Sequence, residues 1–248
     1  MSPRIAHAWR PHATRPALLA LAASLALAGA ASAAEAISKE APPTAAEAVS
    51  KPAVSKEAVQ RVRWVSVSLL GGTAQPVSKL ADYQWDVHPH AGWGAQALVG
   101  LGGWSVGPRL WRSGTSQALR LTGTPDPRVS TTSLDLVART RVARWRKVEC
   151  VALASGGWLA IRYQPDRLTL DTGGGPVELA LGPVDSWIAG VGLALRAPVS
   201  GGWTVGLETE RRMYALDTAH RSGASVTYAH ETFGDWHMRF ELGRAWGW

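Results

Sequence analysis

Cysteine occurs once, at Cys150, so no internal disulfide can brace the fold. Beyond position 30 no apolar run approaches the roughly 20 residues that a membrane-spanning helix needs, which excludes a transmembrane helix downstream of the start of the chain. A spanning strand needs only about 9 to 11 residues and escapes that search. Phenylalanine is scarce, with two copies against thirteen tryptophans. The formal charge is +7, and Arg4, Arg10 and Arg15 at the start supply three of those charges, leaving a mild excess of about +4. Its arginines are spread along the chain and gather in no patch, so nucleic acid is not an expected partner.

What is present at the start is a secretory leader. The three arginines precede the apolar run "ALLALAASLALAGA" at 17–30, and small residues at cleavage-site spacing follow in "ASAAEA". Residues 1–34 are therefore read as a signal peptide. Residues 35–60 repeat a loose "SKEA/SKPA" unit rich in Ala, Pro, Lys and Glu without a single aromatic, and read as a disordered periplasmic linker. The folded part is expected over 61–248.

There the apolar residues alternate with period two, the pattern of strands with unlike faces. Eight strands are expected, over 61–71, 92–101, 104–113, 132–145, 148–163, 187–197, 203–214 and 233–248. Gly156 and Gly157 read as a kink inside the fifth. Three short turns near 102, 146 and 200 alternate with longer segments near 72–91, 114–131, 164–186 and 215–235, and the third of these resembles a hairpin around "TGGG". An even strand count, with short turns on one side and long loops on the other, is the pattern of outer-membrane barrels.

Alternation alone does not orient the apolar face, and a soluble periplasmic lipocalin-like barrel is the competing fold. The polar face carries Arg109, Asp135, Arg139, Arg141, Arg162, Arg196, Glu208, Glu210, Arg212, Arg239 and Glu241 among many small residues, and almost no lysine. That composition suits the narrow, charge-paired interior of an eight-stranded barrel. Trp104, Trp203, Trp246 and Trp248 fall at one set of strand ends, and Trp93, Trp187 and Trp236 at the other, as two aromatic girdles would. The expected fold is all-β, an eight-stranded antiparallel up-and-down transmembrane β-barrel located in the outer membrane.

The segments "FELGRAWGW", "WIAGVGLALRAPVSGGWTVGLETERRMY" and "ALASGGWLAIRY" resemble the small outer-membrane barrels of the opacity-protein and OmpX type, over about 61–248. The resemblance implies that the barrel assembly machinery reads the last strand through its terminal aromatic, Trp248. Arg244 departs from the pattern on an otherwise apolar face and is expected at the membrane interface.

Sequence motifs for chemistry are weak. "GWSVG" matches G-x-S-x-G around Ser105 but leads into a strand, whereas that nucleophile needs a strand-to-helix elbow. "LDTGG", with Asp171, occurs once, and an aspartic protease needs two such carboxylates. His88 and His90, near Asp82 and Asp86, have the donor types of a transition-metal site in a solvated loop. His230, Glu231 and Ser225, near His220, are the nearest approach to a lipid A-modifying hydrolase. No catalytic, cofactor-binding or metal residue is assigned, and no cofactor is expected. The expected role is structural or surface interaction through the long loops, with outer-membrane lipid and lipopolysaccharide as surroundings. A lipid A-modifying enzyme and a small pore are the alternatives.

Overall fold

A computed structural model of the chain describes residues 62–119, 126–171, 175–222 and 225–247, and of 170, 171, 219–222, 225 and 226 only the backbone. The expected signal peptide, the whole of the expected linker and Trp248 lie outside the described residues, as do Thr172 to Gly174 of "LDTGG". Among the described residues ten strands form: β1 (Trp64–Pro76), β2 (His90–Leu101), β3 (Trp104–Ser116), β4 (Arg128–Trp145), β5 (Val148–Gln164), β6 (Arg167–Asp171), β7 (Pro176–Ala180), β8 (Val184–Pro198), β9 (Trp203–Ser222) and β10 (Ser225–Gly247).

Eight of them close a barrel in the order β1, β10, β9, β8, β5, β4, β3, β2, and β6 with β7 makes a separate two-stranded sheet. Every neighbouring pair in the barrel is antiparallel. The hairpin expected around "TGGG" is that separate sheet, inserted between β5 and β8. Closure is complete along the seam, where β1 pairs with β10 from Trp64 opposite Gly247 to Pro76 opposite Asp235. No strand of the barrel is left as an edge, which removes a template for aggregation.

The short turns fall where the sequence places them. Gly102 adopts a φ of 73°, and Gly103 completes the tight reversal from β2 to β3, a conformation that favours glycine. Gly156 and Gly157 do not kink β5, because its pairing with β4 runs without a slip from Gln164 to Val151. The irregularity in that ladder lies between Arg141 and Ala143.

The expected loop at 215–235 is not a loop. β9 is 20 residues long and β10 is 23, against 13 for β1 and 12 for β2, so the last two strands continue paired far past the others. Their ladder runs from Arg244 opposite Trp203 up to Ser225 opposite Ser222. The first long segment also folds, into a 3₁₀ turn at Ser78–Tyr83 that sits across the long-loop mouth. Leu80 and Trp85 from this segment are buried with Val129, Leu159, Ile161, Ile188, Tyr214, Leu216 and Phe233, forming an apolar plug.

Small residues make the interior fit. A Cβ on Gly190 of β8 would lie 2.5 Å from Glu210 Oε1 and 2.8 Å from Ser155 Oγ. Gly190→Val is therefore expected to displace the Glu210 carboxylate and to destabilise the barrel by about 1 to 3 kcal/mol. Urea unfolding in detergent micelles measures this.

Candidate functional site

Alternation sends every second side chain inward, and the barrel is too narrow for those side chains to avoid one another. At mid-height this brings together arginines and carboxylates from five of the eight strands. Arg109 on β3 lies 2.8 Å from Glu208, 2.8 Å from Glu210 and 3.2 Å from Asp135. Arg239 on β10 lies 2.6 Å from Glu208 and 2.5 Å from Glu210. Arg139 bridges Glu208 at 2.5 Å to Glu241 at 2.9 Å, Arg196 reaches Glu241 at 3.0 Å, and Arg212 reaches Asp135 at 3.3 Å. Ser155 donates to Glu210, and Ser68 donates to Glu241 at 2.9 Å.

With Asp235, 2.9 Å from His237, five carboxylates face five arginines in the lumen. Buried charge survives only when paired and hydrogen-bonded, and the balance of sign meets that demand. Arg109, Arg139, Arg212 and Arg239 are all at most 1 % exposed, so the lumen is closed at this level. This packing leaves the pore alternative no open path at mid-height. Trp111 points inward and is buried; Arg239 stacks over its ring at 4.7 Å and His237 meets its edge at 5.6 Å.

Two of the expected lumen arginines stand elsewhere. Arg141 sits at the short-turn mouth, half exposed, 3.2 Å from Glu149. Arg162 projects outward, since the inward residues of β5 are Leu159 and Ile161, and it pairs with Asp185 at 2.9 Å on the outer wall. Had the two glycines kinked β5, its parity would have flipped; without a kink, Arg162 faces out.

The outer wall is apolar. Leu69, Leu134, Leu136, Val191, Leu193, Leu195, Leu207 and Phe240 are exposed around the barrel's middle, with Leu136 at 60 %. Trp104, Trp203 and Trp246 stand exposed at the short-turn end, and Trp93, Trp158, Trp187 and Trp236 at the other. Water would not tolerate such a belt on a soluble monomer. This chain is a transmembrane β-barrel of outer-membrane type. The soluble lipocalin-like alternative is overturned, because the apolar face points out and the charged face in. Trp158 joins the outer girdle and packs edge-on against Trp187 at 5.3 Å. At the opposite boundary the Arg244 guanidinium lies over Trp203 at 5.9 Å and Trp246 at 5.6 Å, in the interface where a charge costs least.

At the long-loop end the barrel separates the residues considered for catalysis. His230 points outward and meets Asp217 across the ladder, Nδ1 to Oδ1 at 2.7 Å, both exposed. Glu231 turns to the inner side, where Tyr83 donates to it at 2.7 Å and Lys79 sits 3.1 Å away. Its role is to hold the 3₁₀ turn in the mouth, together with Tyr83 edge-on to Phe233 at 5.6 Å. Ser225 lies five residues before His230 on β10, roughly 16 Å from it at about 3.3 Å per residue, and its side chain, like that of His220, is outside the described residues. The His230, Glu231 and Ser225 set is thus not assembled.

Ser105 is inward, on β3 just after the turn, opposite Arg139, and no helix follows it. Asp171 closes the outer hairpin opposite Pro176. His88 and His90 do converge on Asp86, at 2.6 and 3.7 Å, but among the described residues no three or more His, Cys, Asp or Glu side chains are placed to hold a metal ion. The backbone N–H of His88 donates to Asp86 at 3.0 Å and holds that carboxyl below its usual range. This tie is therefore present above about pH 4, where the unfolded carboxyl ionises, and is lost as pH falls through the lower folded value.

No family model matches the chain, and no curated protein matches it. Solved structures similar to it include Neisserial surface protein A, at 12 % identity with a TM-score of 0.43, covering 73 % of this chain and 96 % of that one. Ail, the attachment invasion locus protein of Yersinia pestis, is 12 % identical with a TM-score of 0.39 and coverages of 74 % and 99 %. Outer membrane protein W of E. coli is 13 % identical with a TM-score of 0.47 and coverages of 76 % and 100 %. These likenesses are distant, and the assignment of the barrel rests on its own apolar wall and charged lumen.

Proposed function

We propose that this barrel is a structural anchor of the outer membrane whose long-loop end presents a binding surface, and that it is not catalytic. The observation that carries this is the contrast between its two parts. Ion pairs and an apolar plug close the lumen, while β9 and β10 continue beyond the outer tryptophans as an ordered ladder and β6 with β7 adds a second hairpin. Ordered strands beyond the membrane present side chains at fixed positions, so binding there loses little conformational entropy. Its environment is outer-membrane lipid and lipopolysaccharide, and its assembly goes through the machinery that reads a terminal aromatic, here Trp248.

Trimming the β9–β10 hairpin between Asp217 and His230 tests the reading. The trimmed barrel is expected to keep its heat-dependent shift in gel mobility, and cells carrying it to lose attachment to matrix proteins or to one another. Equal attachment by intact and trimmed barrels would remove the proposal. The enzymatic alternative predicts an acyl change on outer-leaflet lipid that depends on His230. With His230 and Glu231 on opposite faces, the expected mass spectrum of lipid A is identical with the intact protein, with His230→Ala and with neither.

A further inference from the structure

Three outward arginines stand together where the wall changes from apolar to polar. Arg112, Arg128 and Arg162 are exposed on β3, β4 and β5, three neighbouring strands. Arg112 lies opposite Thr132 and reaches up to donate to Ser130 Oγ at 3.3 Å, while Arg162 lies opposite Ser130 on the other side. Arg128 is two residues above Ser130 on the same strand and the same face. Neighbouring strands are about 4.8 Å apart, so the backbones of Arg112 and Arg162 flank β4 at about 10 Å, within reach of one anion lying over Ser130.

Carboxylates do not account for this charge. Asp185 pairs with Arg162 at 2.9 Å, and Asp126, two residues before Arg128, accepts instead from the Leu119 N–H at 3.0 Å. Arg112 and Arg128 meet no carboxylate among the described residues. Height selects the ligand. Trp93 is the cross-strand neighbour of Arg112, Trp158 lies four residues below Arg162, and Leu110, Leu134 and Leu136 continue down the same wall into the hydrocarbon. An anion bound here would have an apolar tail running along those leucines.

We propose that Arg112, Arg128 and Arg162 form a clamp for a phosphorylated lipid of the outer leaflet, with the phosphate over Ser130 and its acyl chains against Leu134 and Leu136. Guanidinium groups suit this task because they bind phosphate through paired, directed N–H donors. Asp185 holds Arg162 in position without neutralising the other two. The clamp rests on the reading of the chain as an outer-membrane barrel, since its ligand is a lipid of that leaflet.

The full-length barrel, purified in a neutral detergent, is titrated with bisphosphorylated lipid A and with the same lipid after phosphate removal, and binding is read by native mass spectrometry. Affinity for the phosphorylated form is expected to fall by a factor of about five for each arginine removed in Arg112→Gln, Arg128→Gln and Arg162→Gln. The dephosphorylated lipid is expected to bind weakly and to the same extent in all variants, and Arg146→Gln, in the short turn at the opposite end, to match the parent. Unchanged affinity in the triple variant, or equal binding of both lipids by the parent, overturns the clamp. Competition by inorganic phosphate at concentrations equal to the lipid would show a site for the free anion and would overturn the lipid as its ligand. The heat-dependent gel shift, measured on every variant, separates the two readings: its loss in the parent defeats the barrel, and its retention with unchanged lipid affinity defeats only the clamp.

Discussion

Arg109→Met is expected to destabilise the barrel by about 3 to 5 kcal/mol, the range seen when one partner of a buried ion pair is removed. Arg109 is fully buried and touches three carboxylates, Asp135, Glu208 and Glu210. Methionine has a similar reach but no charge, so Glu210 is left to Arg239, and Asp135 to Arg212 at 3.3 Å. The second variant of the cycle, Glu210→Gln, loses the matching charge, and Arg109→Met with Glu210→Gln is expected to cost less than the two singles together. Urea unfolding in lipid vesicles, followed by the heat-dependent gel shift, measures all three. Additive costs would show that Arg109 and Glu210 do not stabilise one another in the folded barrel.

Leu136→Arg is expected to cost about 2 to 4 kcal/mol, because it places a charge on the wall near the middle of the hydrocarbon. Leu136 lies on β4 between the outer girdle, where Leu134 pairs with Trp158, and the inner one, where Thr140 pairs with Trp104. Val142→Arg, two residues past that inner level, is expected to cost about 0 to 1 kcal/mol in the same assay. A soluble barrel would reverse the expectation, since an arginine on an exposed face in water costs almost nothing. Equal stability of Leu136→Arg and the parent in vesicles would place the wall in water.

The strands within the membrane were legible because lipid and lumen are opposite solvents, and each enforces one parity of side chains. Val67 and Leu69 opposite Ser66 and Ser68 show the contrast, and the structure places them outside and inside respectively. Above the plug both faces of a strand meet water, and the alternation fades. That is why "TAHRSGASVTYAHET" reads as a loop although its residues 218–222 and 225–232 pair with the facing strand. The plug was hidden for another reason. Leu80 and Trp85 show no period, and only the closed mouth beneath them explains their burial.

Pairing across the lumen was likewise beyond the sequence. Charges of both signs announce that pairs exist, but which arginine meets which carboxylate depends on strand order around the ring and on height. The outward pair Arg162 and Asp185 shows how one error of parity moves a residue from lumen to lipid interface. Glu231 is next in sequence to His230, yet adjacent residues of a strand face opposite ways.

The distribution of lumen charges bears on how the chain folds. Glu208, Glu210 and Glu241 lie on β9 and β10, whereas Arg109 and Arg139, which they bind, lie on β3 and β4 across the ring. An open sheet holds Arg109 and Arg139 far from these carboxylates and leaves only pairs between nearby strands, such as Arg239 with Glu208 and Glu210 and Arg109 with Asp135. The pairs that cross the ring form only once β1 meets β10, so closure of that seam neutralises the last lumen charges and ties their burial to completion of the barrel.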